Sequence, residues 1–122
     1  MTTQPAWDLP GFTHVYSGKV RDLYEAPDGR LLFVASDRIS AFDVIMPNGI
    51  PRKGEVLTQV SHFWFSQTES FQPNHLLAKS DEPLPKNLQP FEKTLLRRSM
   101  IVKKCKPLAI ECVVREIGRA HV

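Results

Sequence analysis

The chain has 122 residues, of which 42% are hydrophobic and 24% charged, and its formal net charge at pH 7 is +3. This composition is typical of one small, soluble globular domain with its own core. It excludes a membrane-spanning protein, because no apolar run approaches the length needed to cross a bilayer. The first residues show no basic segment followed by an apolar one, so we expect no secretory signal and a cytoplasmic protein.

The cysteines, histidines and basic residues exclude several further kinds of site. Cys105 and Cys112 match neither a redox nor a zinc motif, so we expect two buried, reduced thiols. The four histidines show no metal-ligand spacing. Basic residues cluster only at Arg97-Arg98 and Lys103-Lys104, with no interleaved aromatic residues as on a nucleic-acid platform. Small molecules that carry phosphate explain the charge equally well.

The first third of the chain predicts an antiparallel sheet. Phe12–Tyr24 is expected to form a strand that is interrupted at Ser17-Gly18. The unbroken apolar run Leu31–Ala35 predicts a strand buried on both faces. Because Asp28-Gly29 lies between these two runs, a hairpin turn should pair the strands in antiparallel orientation.

One helix is predicted after a long irregular connection. Glu55–Glu69 carries apolar residues at helical spacing, which indicates one buried face formed by Val56, Leu57, Val60, Phe63 and Trp64. Base rates favour a core position for the cluster Phe63–Phe65 over stacking on a ligand.

The last part of the chain predicts strands separated by irregular segments. Gln72–Ala78 is expected to hold a short strand, and Asp81–Phe91, with three prolines, to be mostly irregular. Ser99–Cys105 and Leu108–Arg115 predict two more strands. The second alternates cleanly between apolar and mixed faces.

The polar residues that directly follow the buried strand Leu31–Ala35 are the strongest candidate site. A rigid strand there delivers two carboxylates, a guanidinium and two hydroxyls into one loop, namely Ser36, Asp37, Arg38, Ser40 and Asp43. The alternative is a capped turn, in which Asp37 and Ser40 bond the backbone and Arg38 pairs with Asp43. The residues alone leave both readings open.

Two weaker candidates lie on other predicted strands. A glycine at Ser17-Gly18 permits close approach of a ligand, and Lys19 and Arg21 alternate onto one face where both could hold a phosphate chain. The alternative is a strand with two exposed basic residues. The C-terminal strands carry Lys103, Lys104, Glu111 and Arg115, for which a solvated Glu111–Arg115 salt bridge is the alternative.

Three ordered blocks of the chain resemble one known family. They are SGKVRDLYE (Ser17–Glu25), LLFVASDRISAFDVIMPNGIPRKGEVLTQVSHFWF (Leu31–Phe65) and RSMIVKKCKPLAIECVVR (Arg98–Arg115). They are similar to the SAICAR synthetases, the phosphoribosylaminoimidazole-succinocarboxamide synthases of de novo purine synthesis. The resemblance covers about Val15 to Arg115, and only the proline-rich middle is uninformative.

The resemblance implies an α+β fold, in which an antiparallel sheet with a packed helix forms an N-terminal lobe like those of ATP-grasp enzymes and protein kinases. It also implies a ligase that uses ATP and Mg²⁺ to join L-aspartate to the carboxylate of carboxyaminoimidazole ribotide. The carboxylate is phosphorylated and the amine then attacks, which gives SAICAR, ADP and phosphate. The implied partners are these small molecules, with neither nucleic acid nor membrane. A nucleotide-binding module without catalysis is the alternative.

Site residues are carried over from the family by position, without a catalytic assignment. The implied ATP-binding residues are Gly18, Lys19, Val20 and Arg21 in a phosphate-covering turn, with Lys103 and Glu111 near the adenine. The implied substrate-binding residues are Ser36, Asp37, Arg38, Ser40, Asp43, Glu111 and Arg115, of which Arg115 suits the ribotide phosphate. The ligands for Mg²⁺ are expected in the part of the family's sequence that this chain lacks.

The last seven residues do not resemble the family. Ile117–Val122 equals the translation of ATC GGA AGA GCA CAC GTC, which is a sequencing-adapter sequence, and the two adapter bases before it account for Glu116. We therefore expect residues 1–115 to be the nucleotide-binding lobe of an incomplete, inactive enzyme, and residues 116–122 to be a non-native tail.

Overall fold

A computed structural model describes residues 7–77 and 84–116 of the chain. These residues form a four-stranded antiparallel sheet, a small two-stranded ribbon and one long helix. In chain order the elements are β1 (Thr13–Ser17), β2 (Arg21–Glu25), β3 (Leu31–Ala35), β4 (Ser40–Ala41), β5 (Val44–Ile45), α1 (Lys53–Thr68), a 3-10 helix (Lys86–Phe91), α2 (Glu92–Leu95) and β6 (Ser99–Val102). The α+β class and the antiparallel sheet with its packed helix are confirmed.

The sheet has the order β1-β2-β3-β6, with every neighbouring pair antiparallel. The predicted interruption at Ser17-Gly18 is a chain reversal, because β1 folds back on β2 instead of continuing as one strand. The hairpin predicted at Asp28-Gly29 joins β2 to β3, with Gly29 at a φ of 88° that suits glycine. These pairings place the β1–β2 turn beside the end of β3.

The core lies on one face of the sheet. It is formed by the buried residues Leu9, Tyr24, Leu32, Val34, Leu88 and Leu95. Leu88 comes from the 3-10 helix and Leu95 from α2, which begins directly after it. The prediction of an irregular Asp81–Phe91 is therefore wrong for residues 86–91, because prolines are compatible with a 3-10 turn that buries one leucine. Residues 81–83 lie outside the described part.

The prediction of a helix here is confirmed by α1, but the prediction of its buried face is wrong. Its buried residues are Gly54, Thr58 and His62, four positions apart. Val56, Val60, Phe63 and Trp64, from the predicted apolar face, are all at least half exposed. Glycine and threonine are small, so this row lets the helix backbone approach the end of β3, and the sheet contacts the polar row.

The C-terminal segment also departs from the prediction. The expected strand Leu108–Arg115 is absent: residues 103–116 have no regular secondary structure and are exposed. Alternation describes which side chains share a face, but a strand also needs a neighbouring backbone, and no described residue supplies one. Cys105 and Cys112 are consequently exposed, so the prediction of buried thiols is wrong.

The other predicted strands are shorter than expected. β6 ends at Val102, and the short strand expected in Gln72–Ala78 is reduced to one bridge between Leu76 and Val102. Ala78 lies outside the described residues. None of the described helices has the length and apolar character that crossing a membrane requires.

Candidate functional site

The β1–β2 turn (residues 18–20) and the loop that follows β3 (residues 36–43, called the site loop below) lie against each other at one end of the sheet. Both the backbone N–H and the hydroxyl of Ser36 donate to the carbonyl oxygen of Val20, at 2.9 and 2.5 Å. Within the turn, the Gly18 N–H donates to the Arg21 carbonyl at 2.8 Å. The structure thus brings together the first two sets of predicted site residues.

Arg38 is the main link between the site loop and the β1–β2 turn. Its Nη2 donates to Oδ1 of Asp22 at 2.8 Å and to the Gly18 carbonyl at 3.2 Å, and its Nε donates to the Lys19 carbonyl at 3.4 Å. The Asp22 side chain is fully buried, so Arg38 compensates a carboxylate that water does not reach. The Arg38–Asp43 pair of the capped-turn alternative is therefore wrong.

Asp43 pairs instead with Lys19, so one ion pair joins the predicted substrate set to the predicted phosphate set. The hydrogen bond and charge of Lys19 hold the pKa of Asp43 below its usual value. Asp43 and Phe42 form the tip of the β4–β5 ribbon, and both have positive φ, 63° and 51°. A two-residue hairpin turn needs such angles, but phenylalanine adopts them at an energetic cost. Phe42 is also completely exposed.

Asp37 fastens the site loop to the start of α1 and to the strand β6. Its Oδ1 accepts from the Gly54 N–H and from Nη1 of Arg98, both at 2.9 Å, and its Oδ2 accepts from the Arg52 N–H at 3.2 Å. Burial alone would raise the pKa of Asp37, but the hydrogen bonds from Arg98, Gly54 and Arg52 outweigh burial and lower it. Asp37 thus bonds the backbone, as the capped-turn alternative predicts.

An open cleft of about 360 Å³ lies beside this network. Its lining combines three basic side chains with polar and aromatic ones: Trp7, Ser36, Asp37, Arg38, Gly49, Lys93, Thr94 and Arg98. The Arg98 guanidinium carbon lies 5.8 Å from the centre of the Trp7 ring. Sequence reasoning missed Trp7, Lys93 and Arg98, and only the inclusion of Arg98 in the third family-like block pointed toward it.

The remaining predicted site residues are more loosely placed. Arg21 is exposed at the start of β2, Ser40 is half-buried in β4, and Lys103 is exposed directly after β6. In the described part of the chain, Glu111 and Arg115 form no ion pair with each other and no hydrogen bond with the turn or the site loop. Lys104 pairs with Glu25 instead, at 3.1 Å.

The carboxylates near the turn do not form a metal site. Asp22, Asp37 and Asp43 are paired with Arg38, Arg98 and Lys19 respectively. Across residues 7–77 and 84–116, no three His, Cys, Asp or Glu side chains lie close enough together to hold a metal ion.

Known proteins match this chain over nearly its whole length. The family described as "SAICAR synthetase" matches residues 14–121. Phosphoribosylaminoimidazole-succinocarboxamide synthase from Trichlorobacter lovleyi is 56% identical over 108 residues, which are 88% of this chain and 36% of that protein. The synthase from Desulfosudis oleivorans is 54% identical over the same shares of the two chains. This chain therefore spans about a third of the length of its curated relatives.

A solved structure has the same fold. The SAICAR synthase from Saccharomyces cerevisiae, complexed with SAICAR, superimposes with a TM-score of 0.70 at 45% sequence identity, over 85% of this chain and 37% of that one. The origin of residues 116–122 stays a prediction, and residues 117–122 lie outside the described part. From the matched range of residues 14–121 and from this fold, the chain belongs to the SAICAR synthetase family.

Proposed function

We propose that this chain is the nucleotide-side part of a ligase that uses ATP to join L-aspartate to the carboxylate of carboxyaminoimidazole ribotide, which yields SAICAR, ADP and phosphate. Membership of the SAICAR synthetase family is the observation that carries this proposal. Because the chain spans about a third of its relatives, the complete reaction belongs to a longer protein. The family's place in purine synthesis leads us to expect the cytoplasm as its location.

The β1–β2 turn would hold the phosphates of ATP. Gly18, Lys19, Val20 and Arg21 form a tight reversal, with the Lys19 ammonium and the Arg21 side chain both exposed to an incoming anion. Phosphate oxygens would compete with the Asp43 carboxylate for Lys19. Lys103 and Glu111 would border the adenine.

The site loop and the C-terminal segment would contribute to binding of the other two substrates. Ser40 and Asp43 lie at the exposed ribbon β4–β5, where hydroxyl and carboxylate groups can reach an amine or a sugar. Arg115 would hold the ribotide phosphate, since a guanidinium matches phosphate geometry, and Glu111 would face the imidazole. The substrate-side loop assignment also includes Ser36, Asp37 and Arg38, all three of which are already hydrogen-bonded to other protein groups.

The described residues do not fit Mg²⁺, because each nearby carboxylate is committed to a lysine or an arginine. The Mg²⁺ that accompanies ATP in this reaction would find its protein ligands in the part of the enzyme that this chain lacks.

A chimeric enzyme tests the proposal. Residues 14–115 replace the aligned segment of the Trichlorobacter lovleyi synthase, and ADP release is followed with ATP, the ribotide and aspartate. We expect ADP release that depends on both the ribotide and aspartate. Lys19→Met should raise the KM for ATP roughly tenfold through loss of a charge-assisted phosphate contact. The matched control Lys86→Met removes an exposed lysine from the 3-10 helix and should change nothing.

Two results would contradict the proposal. A folded chimera without aspartate-dependent ADP release would exclude the ligase for this segment. ATP binding by that same inactive chimera would favour the alternative, a nucleotide-binding module without catalysis.

A further inference from the structure

Arg38 binds two consecutive carbonyl groups of the β1–β2 turn. The Arg38 guanidinium binds both the Gly18 carbonyl and the Lys19 carbonyl, at 3.2 and 3.4 Å. In a planar trans peptide the carbonyl and the following N–H point in opposite directions. Because Arg38 draws these two carbonyls toward itself, the N–H groups of Lys19 and Val20 are turned away from it.

Those two N–H groups are available to an anion. Among residues 7–77 and 84–116, neither the Lys19 N–H nor the Val20 N–H has a hydrogen-bond acceptor. Successive N–H groups at a turn, together with a lysine ammonium, form a concave site for phosphate oxygens. We propose that Arg38 is a positioning residue that orients the Lys19 and Val20 peptides of the β1–β2 turn to receive the phosphates of ATP, an inference that rests on the proposed function.

Arg38 is poorly placed to bind a substrate directly. Its side chain is only 19% exposed, and the same Nη2 atom serves both Asp22 and Gly18. The Asp22 carboxylate holds the Arg38 guanidinium. The Lys53 ammonium donates to the Arg38 backbone carbonyl at 3.1 Å and so holds the backbone of the arginine. The arginine is therefore held at both ends, as a residue that aligns another group must be.

Lysine at position 38 separates positioning from simple charge compensation. Arg38→Lys keeps a cation beside the buried Asp22, so the urea midpoint of the chimera should stay close to that of the parent. A single lysine ammonium cannot replace the planar guanidinium, which binds the Gly18 and Lys19 carbonyls and the Asp22 carboxylate at the same time. The turn should then loosen although the fold persists.

The expected result is a selective change in ATP use. In the chimera, Arg38→Lys and Arg38→Gln should each raise the KM for ATP roughly 10- to 100-fold, since small misplacements at a phosphate site have effects of this size. The KM values for aspartate and for the ribotide should change less than about threefold. Amide hydrogen exchange at the Gly18 N–H, which donates to the Arg21 carbonyl across the turn, should accelerate in both variants. Arg30→Gln, which breaks an exposed arginine–aspartate pair at the opposite end of β2, is the matched control.

Two outcomes would overturn the inference. An unchanged KM for ATP and unchanged exchange in a folded Arg38→Lys chimera would show that only the charge matters. A rise confined to the KM of aspartate or the ribotide would make Arg38 a direct substrate ligand. If the parent chimera has no ligase activity, the proposed function fails, and exchange at the Gly18 N–H still decides whether Arg38 orders the turn.

Discussion

The β1–β2 turn with the site loop, at one end of the sheet, and residues 103–116, at the other end of the described chain, both carry predicted site residues. In the first region, buried or half-buried groups hold each other: Asp22 with Arg38, and Asp37 with Arg98 and the start of α1. In the second region the side chains are exposed, and Leu108 and Val114 are 86% and 98% accessible. The predicted site residues of the first region are held in place by other side chains, and those of the second region are not.

The difference shows that order at a polar loop depends on partners distant in sequence. Asp37 and Arg98 are sixty-one residues apart, and Asp22 and Arg38 are sixteen apart. Each pair joins the loop that follows β3 to a residue in or next to another strand, so pairing of the strands aligns the loop. Residues 103–116 have the regular alternation of a strand, but no described neighbour to satisfy their backbone groups.

Substitution of Gly54 should break the ordered region most severely. A Cβ at position 54 would lie 2.1 Å from the Ala35 carbonyl oxygen and 2.8 Å from that of Ser36, both backbone atoms that cannot move aside cheaply. We expect Gly54→Ala to lower the free energy of unfolding by roughly 3 kcal/mol, measured by urea denaturation of this chain. Val56→Ala, on the exposed face of the same helix, should stay within about 0.5 kcal/mol. Equal effects of the two substitutions would show that α1 does not pack through Gly54.

Loss of the Asp37 charge should have the next largest effect. Asp37→Asn leaves the Arg98 guanidinium, only 12% exposed, without its carboxylate, and should lower the free energy of unfolding by about 2 kcal/mol. The matched control Asp43→Asn removes an exposed carboxylate, whose ion pair is screened by water, and should leave the free energy of unfolding nearly unchanged.

The decrease of the free energy of unfolding at acidic pH tests the same Asp37–Arg98 contact. The folded pKa of Asp37 lies below its ordinary 3.8, so its contribution is complete above that pH and is lost as the pH falls through the folded pKa. The difference between Asp37→Asn and the parent chain should therefore shrink in acid. A constant difference at all pH values would contradict the ionised contact.

His62 should give a smaller effect near neutral pH. Burial against the sheet lowers its pKa below 6.5, although a hydrogen bond with the Ser99 backbone opposes this. As the pH falls below about 6.5, His62 binds a proton in the unfolded chain but not in the folded chain, so the free energy of unfolding declines. Urea midpoints between about pH 7.5 and 5.5, roughly the window around the ordinary histidine pKa, should show this decline, and His62→Gln should flatten it. A parent chain with a flat profile would contradict a buried His62.

The sequence predicted the sheet better than it predicted the surfaces. The apolar run of β3 and the Asp28-Gly29 turn specify local geometry, and the strand and the hairpin are both confirmed. Burial of β3 on both faces is only partly confirmed, because Leu31 and Phe33 are half-buried. The burial of α1 was mispredicted because packing followed the small residues Gly54 and Thr58 rather than the more apolar stripe at Val56, Val60 and Trp64. Periodicity reports how apolar a face is, whereas the closeness of a helix to a sheet depends on side-chain size.

The pairing of the polar side chains was less predictable from the sequence than the place where they gather, and the binding roles of these residues stay predictions. A polar loop after a buried strand indicated where side chains would gather, and Lys19, Arg38 and Asp43 do lie together. The ion pairs could not be predicted from local spacing. Arg38 and Asp43 are five residues apart in the sequence, but the partner of Arg38 is Asp22 in β2 and the partner of Asp43 is Lys19 in the β1–β2 turn. Such partners depend on which residues of β2 and of the β1–β2 turn the paired strands bring to the end of β3, which the spacing within the loop itself does not show.

The smallest effect is expected from the exposed C-terminal segment, and it is the sharpest test of the contrast between the two regions. In this chain Val114→Ala should change the free energy of unfolding by less than about 0.5 kcal/mol, because the side chain is 98% exposed and leaves no cavity. Val34→Ala makes the same change in side chain at a fully buried position of β3, and it should lower the free energy of unfolding by about 2 kcal/mol.

In the chimera the rest of the synthase is present, so one face of residues 108–115 can pack against it. We expect Val114→Ala to lower the free energy of unfolding of the chimera by about 1 kcal/mol. A cost in the isolated chain as large as that of Val34→Ala would mean that the segment is packed without the rest of the enzyme, so that the residues of both regions would be held in place.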